Sequence, residues 1–260
     1  MAPPQSIHEA SVVAVCLAWA DGVYGLAEAI AVCGFASSVR LQLKRVLAVP
    51  PDAWRPHLAL RGCEVVAVAR YAARRGAPFA APRRKRAAIA TALLVAANHL
   101  VCARFFGSPP RFQARRLVDT ALAAPVLEEA VFRGVVLGAF LDRCPASPRA
   151  CVLVQAALFA VFHASNWTRR QPDFVVAQVA LAWVCGTAYG AEARAQASLW
   201  TPIFLHAINN AVSAVCFDDW TTVRRKPLLV LWAILLYATL AAMVRCPPPP
   251  LPPCAPSKSR

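Results

Sequence analysis

Three apolar stretches of the chain each hold polar side chains at helical spacing. The run Ala124-Pro125-Val126-Leu127-Glu128-Glu129-Ala130-Val131-Phe132-Arg133-Gly134 carries two carboxylates and a guanidinium, Phe159 and His163 lie four apart in a second run, and His206 and Asn210 lie four apart in a third. Residues at i and i+4 share a helix face, and Glu129 precedes Arg133 in the order that favours an ion pair. Glu128 is turned about 100° from Glu129; it has no partner on its own helix and is aimed at something else. Phe159 stacks along its helix on His163, an aromatic wall beside an imidazole. Carboxylates, imidazoles and a carboxamide are groups that move protons and hold a polarised oxygen. They predict a polar chamber in which three helices bring Glu128, His163, His206 and Asn210 together. Two glutamates and two histidines could also hold Zn²⁺ with a position left open for water, Glu128, His163 and His206 being the ligands. The absence of an H-E-x-x-H run, and the competition of Arg133 for Glu129, argue against it. No metal or other cofactor is expected, with zinc the alternative.

The elements that must position these groups are apolar enough for lipid. Of 260 residues, 58% are hydrophobic and only 16% charged, and the mean hydropathy is +0.49, where a soluble domain is nearer one quarter charged. A disordered chain, a collagen-like fibre and a small disulfide scaffold are excluded. Six runs are long enough to span about 30 Å of hydrocarbon at 1.5 Å per residue: 87–106, 117–141, 150–166, 174–193, 198–217 and 227–244. A seventh, 11–36, contains Asp21 and Glu28, seven apart on one face and expected to point inward. The stretch 57–73 is interrupted by Arg61, Glu64 and Arg70, and reads equally as a span or as an amphipathic helix lying at the interface. The expected architecture is all-α, a polytopic membrane protein with seven or eight transmembrane helices. An ionisable group at the centre of such a helix costs roughly 2.5–3.5 kcal/mol by insertion scales, so Glu128, Glu129 and Arg133 must face one another or a function.

Lys and Arg outnumber Asp and Glu by 28 to 13. In a membrane protein that excess belongs to headgroup-facing loops, here Arg83-Arg84-Lys85-Arg86, Arg115-Arg116, Arg169-Arg170 and Arg224-Arg225-Lys226. No basic stripe is interleaved with aromatics as a single-strand groove requires, so nucleic acid is not an expected partner. The later loops are nearly balanced in charge, and the pattern fixes no orientation. Most of the ten cysteines sit inside apolar runs and none has C-x-x-C spacing, which argues against a disulfide framework or a thiolate zinc site. Residues 1–86 read as an anchor helix, uncleaved because no basic segment precedes it, plus a basic interfacial segment. Residues 87–244 read as the helical core, and 245–260 as a proline-rich tail that cannot be helical.

E-E-x-x-x-R, F-x-x-x-H and H-x-x-x-N, in that order on successive apolar segments, resemble the CPBP family of intramembrane proteases. That family includes the CaaX prenyl endopeptidases and bacteriocin-processing or immunity relatives. The likeness extends to Glu-Glu-Ala-Val-Phe-Arg-Gly and to Thr201-Pro-Ile-Phe-Leu-His206-Ala-Ile-Asn-Asn210; it covers residues 125 to about 213 and nothing of the first 86. It implies an integral, multi-pass, glutamate-dependent endopeptidase acting on a peptide or prenylated protein among membrane lipids. Glu128 would then activate water with help from His163, His206 and Asn210 would hold the oxyanion, and Glu129 with Arg133 would orient the first glutamate. Phe159 is a wall. Asn209, like Asn98 and His99, matches no motif and reads as a polar group packing helices together. A non-catalytic scaffold or immunity-type protein of the same family is the alternative; a transporter is disfavoured because the two halves show no repeat. The oligomeric state is left open.

Overall fold

The computed structural model describes residues 54–106, 117–168, 170–216, 231 and 235–238, and every regular element among them is helical. Six helices carry the architecture: α1 (Trp54–Arg74), α2 (Lys85–Phe106), α3 (118–143), α4 (Pro148–His163, continued by a 3₁₀ turn, Ala164–Thr168), α5 (Pro172–Gln196) and α6 (Trp200–Cys216). Five of the expected runs therefore appear as α2 to α6, with ends shifted by a few residues. The ambiguous stretch 57–73 is helix α1, whose Val68 and Ala72 are buried in one core with Ala130, Val131 and Phe132 of α3. The run 11–36 lies outside the described residues, as does most of 227–244.

Two of these helices, Pro148–Thr168 and Pro172–Gln196, are long and apolar enough to cross a membrane. Charges interrupt two of the others: α3 carries Asp119, Glu128, Glu129 and Arg133, and α1 carries Arg61, Glu64 and Arg70. The surface nevertheless has the inverted character that lipid requires. Leu93, Leu100, Val161, Val176, Trp183 and Phe204 are exposed, whereas Glu129, Arg133, Gln155 and Glu192 are buried. A soluble domain rarely buries so many charged and polar side chains while leaving so many large apolar ones exposed.

Pro148 and Pro172 open α4 and α5 at their first turns, where a missing N–H removes no helical bond. Those two helices then approach closely. A Cβ added at Gly186 would stand 3.3 Å from the Ala156 backbone, and one at Gly190 would stand 3.1 Å from Val152, the close contact that a small-x-x-x-small pair permits in lipid. α3 is shaped differently. It is α-helical at Ala124–Glu129 and Leu137–Arg143 but widened to π geometry at Val118–Ala123 and Ala130–Val136. Pro125 accounts for the first widening. Inside an α-helix its ring would press on the carbonyl four residues back and lack a donor for it, and the turn relaxes so that Ala124 N–H reaches Asp119 O instead.

Between α5 and α6 the chain turns on Ala197, which has φ +46°. Its N–H bonds to Arg194 O and the Ser198 N–H to Ala193 O, a Schellman closure. The segment after α1 is stitched to this corner: Leu199 N–H donates to Pro78 O at 2.8 Å, Arg83 N–H to Gln196 O at 3.0 Å, and the Ser198 hydroxyl to Ala80 O at 2.7 Å. The corner thereby fixes where α6 begins, and with it His206.

Candidate functional site

The site is built where α3, α4, α5 and α6 meet. Glu129 and Arg133 are both fully enclosed, with Arg133 Nη1 3.1 Å from Glu129 Oε1. The expected pair forms, even though π geometry begins at Ala130 between them. The same carboxylate oxygen accepts a hydrogen bond from His206 Nδ1 at 2.8 Å. Glu129 therefore ties α3 to α6. Arg133 in turn lies over two rings, with its guanidinium carbon 4.2 Å from the Phe159 centroid and 5.6 Å from that of Tyr189, contacts worth roughly 2 kcal/mol or more once desolvated. Removed from water, this cation is held by one carboxylate and two π faces.

Glu128 stands apart from its neighbour, as the 100° rotation predicts. Its side chain is 25% exposed where that of Glu129 is 0%, and its Oε2 lies 3.8 Å from His206 Nε2, too far for a hydrogen bond. That oxygen is buried without a hydrogen-bond partner. His206 thus sits between the two carboxylates, one nitrogen bonded to the sealed one and the other facing the open one.

The imidazole of His163 is oriented from its own helix. Nδ1 donates to Phe159 O at 2.9 Å, and with that proton on Nδ1 the neutral ring keeps a lone pair on Nε2. Phe159 is the shared wall, its ring meeting His163 edge-on at 4.7 Å and His206 at 6.1 Å. No hydrogen bond or ion pair joins His163 to Glu128 among the described residues. Asn210, one turn beyond His206, donates Nδ2–H to Thr120 O at 2.8 Å, so its carboxamide is anchored on the first widened turn of α3. Among the described residues no three His, Cys, Asp or Glu side chains are grouped as a metal ion requires.

Residues 110–212 match the family model described as type II CAAX prenyl endopeptidase, Rce1-like. That segment is similar to this family. The match is in keeping with the CPBP resemblance and supports peptidase activity and a membrane location in general terms. Glu128, Glu129, Arg133, Phe159, His163, His206 and Asn210 all fall inside it. No curated protein and no solved structure matches the chain.

Sequence reasoning missed several parts of the site. Tyr189 stacks on His206 with centroids 5.5 Å apart and planes at 27°, and its hydroxyl reaches the Tyr237 hydroxyl at 3.3 Å. Gln155 is fully buried with neither amide atom hydrogen-bonded. A signal for Tyr189 was present, because it lies within the Gly186-x-x-x-Gly190 run that forces α5 against α4. For Gln155 no spacing relation pointed to the site.

Proposed function

We propose that the protein is a multi-pass membrane endopeptidase, of seven or eight spans, that hydrolyses a peptide bond in a membrane-associated substrate, a prenylated CaaX protein being the substrate class. The observation that carries this reading is the division of labour between two adjacent carboxylates. Glu129 is sealed, its Oε1 held by Arg133 and His206, whereas Glu128 beside it keeps partial exposure and faces the other His206 nitrogen. A sealed carboxylate held by a cation and an imidazole suits positioning, and an open one suits proton transfer.

In this reading Glu128 takes a proton from water while the His163 Nε2 lone pair orients the same molecule. The water oxygen bonds to the carbonyl carbon and the carbonyl π pair moves onto oxygen. Asn210 has a second N–H beyond the one given to Thr120, and it donates to that oxyanion together with His206 Nε2–H. An imidazolium at 206 uses both protons, one on Glu129 and one on the oxyanion. Collapse of the tetrahedral intermediate breaks the C–N bond, and protonated Glu128 returns its proton to the leaving amine. Removing one such oxyanion donor typically costs about 10²–10³ in rate. No metal takes part in these steps.

Incubating the purified protein in lipid vesicles with farnesylated and unmodified peptides of the same sequence tests the proposal. Cleavage of the farnesylated peptide is expected, falling at least ~10²-fold in Glu128→Gln and persisting in chelator. Unchanged cleavage in Glu128→Gln would overturn the assignment of the base. Loss of activity in chelator with recovery on adding Zn²⁺ would replace it with a metal mechanism.

A further inference from the structure

Outside the family match, α2 offers a buried imidazole that the peptidase steps do not use. His99 Nδ1 lies 2.8 Å from Val95 O, and Nε2 lies 3.1 Å from Asn209 Oδ1 on α6. Asn209 Nδ2 donates to Asn210 Oδ1 at 3.3 Å, and Asn210 Nδ2 donates to Thr120 O. Tyr237 O–H also donates to Asn209 Oδ1, at 3.4 Å, while its ring meets His99 edge-on with centroids 6.2 Å apart. A row of hydrogen bonds therefore runs from α2 across α6 to α3, and Asn210 is its next-to-last member.

The direction of the row follows from its ends. A backbone carbonyl only accepts, so at Thr120 the Asn210 amide must present Nδ2 and keep Oδ1 on the Asn209 side. Asn209 must then present Nδ2 to Asn210, which leaves its Oδ1 for His99 and Tyr237. Turning the Asn209 amide over would set two carbonyl oxygens against each other; turning both amides would move the same conflict to Thr120. His99 faces an oxygen acceptor at each nitrogen, and it makes both bonds only with a proton on each. Each donor in such a row strengthens the next, and the effect is largest where water is excluded.

We infer that His99 is a positioning residue for the proposed reaction: through Asn209 it orients and polarises the Asn210 carboxamide that receives the oxyanion. The inference rests on the peptidase reading and extends it to a residue outside the matched segment. His99 touches neither substrate nor the reacting atoms, and its removal acts on the transition state through Asn210.

The test is the rate of farnesylated-peptide cleavage by the full chain in vesicles. His99→Phe keeps the ring volume and removes both donors; it is expected to lower kcat ~10-fold with KM within about twofold, as loss of transition-state stabilisation alone requires. His99→Gln, whose amide nitrogen reaches about as far as Nε2, is expected to restore most of the rate. In an Asn210→Ala background His99→Phe is expected to add nothing, since its target is gone. Asn209→Asp is nearly isosteric and breaks the row at the Asn210 bond while keeping an acceptor for His99; it carries the same expectation where His99→Phe does not fold. An unchanged kcat in folded His99→Phe or in Asn209→Asp, or a His99→Phe loss that multiplies with that of Asn210→Ala, would overturn the inference. If the parental chain cleaves neither peptide, the peptidase reading itself fails; if Glu128→Gln and Asn210→Ala cleave at the parental rate, the roles given to Glu128 and Asn210 fail, whatever the result at His99.

Discussion

Where α5 crosses α4, contact is made by the lack of side chains: Gly186 and Gly190 let the backbone lie against Ala156 and Val152. Where α3 crosses α6, contact is made by charge, with Glu129 held at once by Arg133 and His206. The first interface is regular, apolar and made of helices long enough to span a bilayer. The second lies along a helix twice widened to π geometry, a distortion that recurs at functional sites. Their responses to damage should differ accordingly. Apolar packing degrades by increments of volume, but a buried ion pair fails almost wholly when one member goes, because the other is left charged and dry.

The largest effect is therefore expected at Arg133. Arg133→Met leaves the buried Glu129 carboxylate to His206 alone and should destabilise the fold by about 3 kcal/mol, read as a fall in the thermal unfolding midpoint in detergent. Removing both partners, as Glu129→Met with Arg133→Met, should recover most of that loss and no cleavage, since His206 loses its orienting acceptor as well. A double variant as unstable as the single one would show that packing on Phe159 and Tyr189, rather than charge, holds Arg133.

A smaller effect is expected at the apolar crossing. Gly190→Val directs new methyl groups at Val152 and at the Gln155 carbonyl, both already 3.1 Å from the position of its Cβ. Overpacking of this kind typically costs about 1–3 kcal/mol, and Val152→Ala in the same chain should return part of it. The rate per folded molecule should hold. A fall in kcat at full folding would show that the α4–α5 crossing sets the site, and that the two interfaces are not separate.

The difference between the interfaces also explains what was legible in the sequence. Five runs appear as helices because a 20-residue apolar stretch has few other options in lipid. The Glu129–Arg133 pair and the separate aim of Glu128 follow from helical periodicity, which is local. The Glu129–His206 bond is not local: 77 residues separate its partners, and nothing in their spacing says that the second glutamate, not the first, takes the imidazole. His99 and Asn209 were readable as polar groups bridging helices, but the direction of their bonds depends on the Thr120 carbonyl, a backbone atom with no signature in the sequence. The π turns were hidden for a related reason, because Pro125 announces a disturbed helix without saying how the disturbance is absorbed.

The two interfaces are joined at Ala197, and the smallest effect, of opposite sign, is expected there. Ala197 holds φ +46°, where an L side chain crowds its own carbonyl by roughly 1–2 kcal/mol. Ala197→Gly removes that crowding, while the added freedom of glycine in the unfolded chain takes back about 0.4–1 kcal/mol. A net gain of about 0.5–1 kcal/mol should remain, seen as a small rise in the unfolding midpoint, with the Arg194 and Ala193 carbonyl bonds kept. The consequence for cleavage decides whether the corner is only a joint. The Ser198 and Leu199 bonds to Ala80 and Pro78 already fix the start of α6, so relaxing Ala197 should leave His206 in place and kcat unchanged. A stabilised variant that cleaves more slowly would mean instead that strain at this one residue helps to seat α6 against Glu129.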